Sequence, residues 1–170
     1  SVNPQNGSAL STMFSFQTSS WIEETADLPL SYDFRYELQR NSVMYFIQSR
    51  SQANSAASKM PAGRQGNGYA VYIVATAYDV LLAAANVTEQ AYIYPSQDVN
   101  YAEYAAANLQ YPELVDSTIA TINAISVSMN AVPCEEATMS DCMSLNREAC
   151  STVANTCGRC MAGFVGVEGA

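Results

Sequence analysis

The side chains able to do chemistry are few and unevenly placed. All five cysteines, Cys134, Cys142, Cys150, Cys157 and Cys160, lie behind residue 133. So tight a cluster in a short tail reads as a disulfide-stapled module. A zinc site is the alternative, but the single C-x-x-C, Cys157 to Cys160, has no second C-x-x-C and no His beside it. The same C-G-R-C lacks the βαβ setting of a thioredoxin-like redox motif, so a structural disulfide role is preferred. The chain contains no His, which removes the commonest general base and with it Ser-His-Asp and Cys-His catalysis. Glu23, Glu24 and Asp27 form one acidic turn, and Glu135, Glu136 and Asp141 form another. Either could offer oxygens to calcium, but neither has EF-hand spacing, and solvated turns are the simpler reading. A glycosidase pair of carboxylates must face each other across a cleft, and sequence separation gives no sign of that. No catalytic constellation emerges, so no enzyme, cofactor or metal is expected. Two N-x-S/T triplets, Asn6-Gly7-Ser8 and Asn86-Val87-Thr88, mark Asn6 and Asn86 as N-glycan acceptors and agree with the cysteines on a secreted context.

Composition narrows the class further. The 170 residues are enough for one core plus a small appendage. Charged residues make up only 14%, so solubility must rest on Ser, Thr, Asn, Gln and glycans. Seven basic residues face sixteen acidic ones, for a formal charge of -9. Lys59 is the sole lysine. Nucleic acid and anionic membrane surfaces are poor partners for such a chain, and no run is long and apolar enough to span a bilayer. The start at Ser1 reads as that of a mature or excised piece.

The elements that must position these residues are mostly strands. From Leu30 to Leu38 the chain alternates: Leu30, Tyr32, Phe34, Tyr36 and Leu38 on one face, Ser31, Asp33, Arg35 and Glu37 on the other. That is a strand with one face on a core and one in water. Leu10 to Gln17 reads as a second strand, with Leu10, Thr12, Phe14 and Phe16 on one face. Trp21 reads as a core plug, with a carbohydrate platform as the sharper alternative. Ser42 to Gln48 is a third strand. Residues 49–68, small and polar, read as a long loop with room for a short edge strand; loops of this kind often carry binding. Tyr69 to Ala77, apolar on both faces, belongs at the centre of a sheet, and Leu82 to Thr88 returns beside it. Such spacing points to a β-sandwich.

Near residue 89 the period lengthens. Asp98 to Gln110 fits a helix capped by Ser96 or Asp98. Pro112 suits the first turn of the next helix, Glu113 to Asn130. There Leu114, Ile119, Ile122, Ile125 and Met129 fall at three- and four-residue steps, an amphipathic stripe. Packing on the sandwich is its simplest use; an exposed stripe that docks a neighbouring protomer is the functional alternative.

The opening string, carried by Val2, Pro4, Gly7, Ala9, Leu10, Thr12, Phe14 and Phe16, then Trp21 and Asp27-Leu28-Pro29-Leu30-Ser31-Tyr32-x-Phe34-x-Tyr36, resembles the start of an REJ (receptor for egg jelly) module. Such modules occur in polycystin-related and large protist surface proteins. Tyr69-x-Val71-x-Ile73 followed by Asp79 is similar to the closing strands of a PKD repeat, although the Trp and the Gly-Asp-Gly of that repeat are absent from Tyr32-Asp33-Phe34. The cysteine tail, ending Cys160-Met161-Ala162-Gly163-Phe164-Val165-Gly166, resembles Cys-rich, EGF-like segments. That resemblance implies Cys134–Cys150 and Cys142–Cys157 bonds, with Cys160 left to find a partner beyond Ala170 or on another chain. It implies adhesion, recognition or extracellular assembly, and no enzymatic activity.

The combined expectation is mainly β with a helical segment. An Ig-like β-sandwich spans 1–88, a helical segment packed on the sandwich or on a neighbour spans 89–133, and an incomplete Cys-rich, EGF-like tail spans 134–170. The expected role is a subunit or segment of a cell-surface or filamentous assembly, whose partners are other copies of itself or adjoining segments of a longer chain. A recognition module for a glycan or protein ligand, acting through the 49–68 loop and exposed Tyr, is the alternative.

Overall fold

The computed structural model describes residues 1–96, 99–110 and 115–167. Its eight strands are β1 (Val2–Asn3), β2 (Asn6–Ser8), β3 (Met13–Gln17), β4 (Ser31–Glu37), β5 (Tyr45–Ser51), β6 (Ser55–Lys59), β7 (Ala70–Tyr78) and β8 (Ala84–Tyr94). Three helices follow: α1 (Tyr101–Asn108), α2 (Val115–Met129) and α3 (Met139–Ser144). The strands form two sheets, β1-β3-β6 and β2-β8-β7-β4-β5. Pro4 stands between β1 and β2, so the first strand leaves one sheet and enters the other. β2 then runs parallel to β8, while the other pairings are antiparallel. Two sheets sharing a split first strand make an immunoglobulin-type sandwich.

Alternation builds the core between the sheets. Phe14 and Phe16 of β3 face Phe34 and Tyr36 of β4, Val71 and Ile73 of β7, and Ala91 and Ile93 of β8. The rings of Phe16 and Phe34 meet across the gap at 6.5 Å, and Tyr36 stacks on Tyr45 at 5.0 Å. β7 is paired on both sides, by β4 and β8, in keeping with its apolar faces. Gly7 lets β2 lie close over this core: a Cβ there would come within 2.6 Å of Thr12 and 2.7 Å of Phe14.

Several local expectations need correction. The face of β4 assigned to water is largely covered: Asp33 and Glu37 are buried. β4 lies inside the five-stranded sheet, and the outer face carries a layer of cations on rings that closes over it. Arg35 lies over Phe46 at 4.7 Å, Arg40 over Tyr72 at 4.8 Å and Arg50 over Tyr78 at 5.3 Å. Trp21 is not a core plug; it is half-buried and donates its indole N–H to Thr18 Oγ1 at 2.7 Å. The third strand begins at Tyr45 rather than Ser42, leaving Val43 and Met44 exposed. The 49–68 stretch contains β6, which pairs along the whole of β3, and the buried Met60 and Pro61. β6 is the short edge strand for which this stretch had room; what changes is the loop reading of its start, since β5 runs on to Ser51. The strand expected to stop at Thr88 continues to Tyr94, because Ala91 and Ile93 still reach the core.

The first helix is capped by Asn100, whose side chain accepts the Glu103 N–H at 3.2 Å; Ser96 instead donates to the Ala9 carbonyl. Asp98, Pro112, Glu113 and Leu114, also assigned roles above, lie outside the described residues.

Candidate interaction surfaces and the disulfide-bonded tail

α2 lies against β5 and β6, where the gap between the two sheets would otherwise open. Asp116, in its first turn, accepts hydrogen bonds from the Ser49 backbone N–H at 3.1 Å and the Ser49 hydroxyl at 2.8 Å. The helix thus occupies a donor on the outer edge of β5, one way of guarding an edge strand. The contact is made through small residues. Ala120 and Ala124 are 4% and 1% exposed, and Val127 packs partly against the core. Small side chains let the helix axis come close to a strand edge.

Three members of the stripe singled out in the sequence point away: Ile119, Ile122 and Met129 are 42%, 50% and 62% exposed, while Ile125 is half-buried. Val115, 59% exposed and outside that stripe, joins the outward face. Hydrophobicity alone favours the isoleucine stripe as the buried one; packing chose the alanine stripe, roughly 140° around the helix. The outward residues recur at steps of four and three, with Ser126 completing the series, which is the spacing of a helix-pairing seam. Between Ser117 and Asn130 the helix carries no charged residue, in a chain of net charge -9.

A cavity of about 690 Å³ opens beside α2, where Ser49, Ser58, Lys59, Tyr104, Asn108 and Asp116 meet. The Lys59 ammonium stands 5.2 Å from the Tyr104 ring centroid, and among the described residues no carboxylate lies within salt-bridge distance of it. Burial pushes the Tyr104 phenol up from its ordinary pKa. This groove draws on residues 49, 51 and 56–59 of the stretch expected to carry binding.

On the outer sheet face, Asp33 accepts from Arg35 at 2.6 Å and from the Tyr78 hydroxyl at 2.9 Å. Desolvation raises the Tyr78 pKa, and its hydrogen bond to the Asp33 carboxylate adds to the shift. The shape of this network is that of a structural tie between β4 and β7 rather than of an open site.

The tail is closed by Cys134–Cys150 and Cys142–Cys157, and Cys160 is a half-buried free thiol. Cys134, Cys142 and Cys150 form a small core with Ala137. Thr138 caps α3 by accepting the Asp141 N–H. Two bonds closing loops of 16 and 15 residues fit an oxidising, extracellular setting. Each such loop stabilises by about 3 kcal/mol in the chain-entropy view. The tail rests on the sandwich where Gly66 meets Ala149.

Asn6 lies on β2 and Asn86 on β8, and both are exposed. Glu23, Glu24 and Asp27 sit around an exposed 3-10 turn, while Glu135, Glu136 and Asp141 are exposed on the tail. Among the described residues, no group of three or more His, Cys, Asp and Glu side chains is placed to hold a metal ion. No described helix is long and apolar enough to cross a membrane.

No curated protein and no solved structure matches the chain at the level required of a relative. A family model does: that of the REJ domain, over residues 1–132, which takes in the whole sandwich and the α1–α2 extension. This domain is an extracellular type of surface module, in keeping with the disulfides of the tail. On that match the chain belongs to the REJ domain family.

Proposed function

We propose that this chain is a non-enzymatic structural segment of a cell-surface or filamentous assembly, held by other copies of itself or by adjoining segments of a longer chain. The observation that carries the reading is the outward face of α2. Four large apolar side chains at helix-pairing spacing stand in solvent on a helix that docks through alanines. A surface of this kind is retained at a cost in solubility, and contiguous exposed apolar patches mark interaction sites. The lack of charge on that face keeps two acidic molecules from repelling each other there. N-glycans at Asn6 and Asn86 would supply the solubility that charge does not. Analytical ultracentrifugation over a concentration series tests this: reversible self-association is expected, and a monomer at every concentration refutes it.

The groove beside Lys59 favours a second reading, recognition of a ligand by a monomer. A cation against an aromatic ring, with no carboxylate at salt-bridge distance among the described residues and with Ser, Asn and Asp116 around the groove, suits a polar ligand that carries an anionic group. Binding of a charged-ligand panel that is abolished by Lys59→Ala, in a protein that stays monomeric, would decide for that reading.

A further inference from the structure

The five-stranded sheet has two edges, and the fold treats them differently. The β5 edge is covered by α2. At the other edge, β2 pairs with β8 only at Tyr92, Ile93 and Tyr94. Among the described residues no strand lies beside β8 from Ala84 to Gln90 on the side away from β7, and Ala84 to Glu89 are exposed. This stretch, Ala-Ala-Asn-Val-Thr-Glu-Gln, has no Pro or Lys, and its pairing with β7 shows no register shift. Those are the devices by which native sheets blunt an edge, and Glu89 is the sole charge.

Hydrogen-bond parity shows which groups are unused. The Ile93 N–H donates to Tyr69 on the β7 side, whereas the Tyr92 N–H donates outward to Gln5 and the Tyr94 carbonyl accepts outward from Ala9. By alternation along the strand, Ala84, Asn86, Thr88 and Gln90 point their backbone groups away from β7. We propose that this edge is a docking site for the same edge of a second copy of the chain, paired antiparallel about a two-fold axis at Val87. The proposal rests on the assembly reading above and adds a second surface to it.

The register follows from the length of open edge, since centring on Val87 uses all of 84–90. It sets Asn86 against Thr88 and Ala84 against Gln90 as hydrogen-bonded pairs, both with outward-pointing backbones. It sets Ala85 against Glu89 and Val87 against Val87 as non-hydrogen-bonded pairs. Glu89 therefore meets a methyl group and not its own copy, so two acidic molecules meet without a like-charge clash. Val87, 42% exposed in the single chain, is covered by its equivalent. The two sheets become one.

The test uses the full chain and four variants. Thr88→Pro deletes an outward N–H and leaves every bond to β7, so it should fold and lose the pairing. It also removes the glycan acceptor at Asn86, so it is read against Asn86→Gln, which removes the acceptor alone and should still pair. Val87→Lys places two cations at the axis, and being exposed it serves if the proline variant does not fold. In a Cys160→Ser background, Val87→Cys should give a covalent dimer on mild oxidation, since non-hydrogen-bonded pairs bring Cα atoms to about 4.5 Å, within disulfide range. The expected result is self-association of the native chain in ultracentrifugation, a Kd at least tenfold weaker in Thr88→Pro or Val87→Lys, and the cross-linked dimer. Association that persists unchanged in both variants, with no cross-link, overturns the β8 site and leaves the α2 reading standing. A native chain that never associates overturns both.

Discussion

Replacing Ile122 by Ser and Ala124 by Leu should separate the two faces of α2. Ile122 is half exposed and Ala124 is 1% exposed, although they are two residues apart on one helix. Ser and Ile have similar helix propensities, and a surface change of this kind shifts folding stability by less than about 0.5 kcal/mol. Leu at 124 must force additional carbons between the helix and the core, at a cost of about 1–3 kcal/mol. For a chain of this size that lowers Tm by roughly 3–10 °C, against under about 2 °C for Ile122→Ser. Association should show the reverse order. Complete burial of an Ile is worth about 1.5–3 kcal/mol, so about 1 kcal/mol remains to be gained at a half-exposed site. In a symmetric pair the residue counts twice, giving about 2 kcal/mol, a roughly thirty-fold rise in Kd. Thermal unfolding by circular dichroism reads the first quantity and sedimentation the second. If Ile122→Ser lowered Tm as much as Ala124→Leu, the helix would have to sit on the sandwich by its isoleucine face, and the argument from the outward stripe would fail.

Gly7→Ala should destabilise by about 1–3 kcal/mol, because the added methyl meets Thr12 and Phe14 below 3 Å; an unchanged denaturation midpoint would contradict the close passage of β2. Asp33→Ala removes the acceptor of both Arg35 and Tyr78 and should cost about 1–3 kcal/mol, while Tyr78→Phe should cost less, since it leaves the Arg35 ion pair intact. Burial, with a smaller contribution from Tyr45, raises the Tyr36 phenol well above the ordinary value of 10.0. Above that pH the unfolded chain gives up this proton and the folded one keeps it, so stability is full below about pH 10 and falls by up to about 1.4 kcal/mol per pH unit above it. Spectrophotometric titration should find a phenol that ionises only on unfolding, and Tyr36→Phe should flatten the alkaline loss.

The sequence carried the strands wherever one face met the core. Phe14, Phe16, Phe34 and Tyr36 alternate as they pack, and the Val- and Ile-rich run of β7 announced a strand paired on both sides. It failed where size or long-range cover decides. Nothing local to Asp33 says that Tyr78, 45 residues on, will bond it and help bury it. β6 is built from Ser and Ala, which have no strand preference of their own, and is fixed by its pairing with β3. The amphipathic period of α2 was legible, but which stripe turns inward was not. That choice depends on how near β5 and β6 allow a helix to come, and alanine answers a question of distance that hydropathy does not ask.

The two proposed contacts lie at opposite edges of one sheet, one along the part of β8 that the short terminal strand β2 leaves open and the other at α2 over β5. Each joins a surface to its own kind, so either alone can give only a dimer. Together they leave every dimer with two unused surfaces, and growth continues unless the two axes meet and close a ring. This yields a four-way prediction that a single interface does not. Ile122→Ser should reduce the native size distribution to dimers joined through β8. Thr88→Pro should reduce it to dimers joined through α2. The two changes together should give monomers, and the native chain should form particles larger than a dimer. Mass photometry across the four proteins resolves these states. A native chain that stops at the dimer would show that one contact is not made, and the single variant that abolishes that dimer would identify the contact that is.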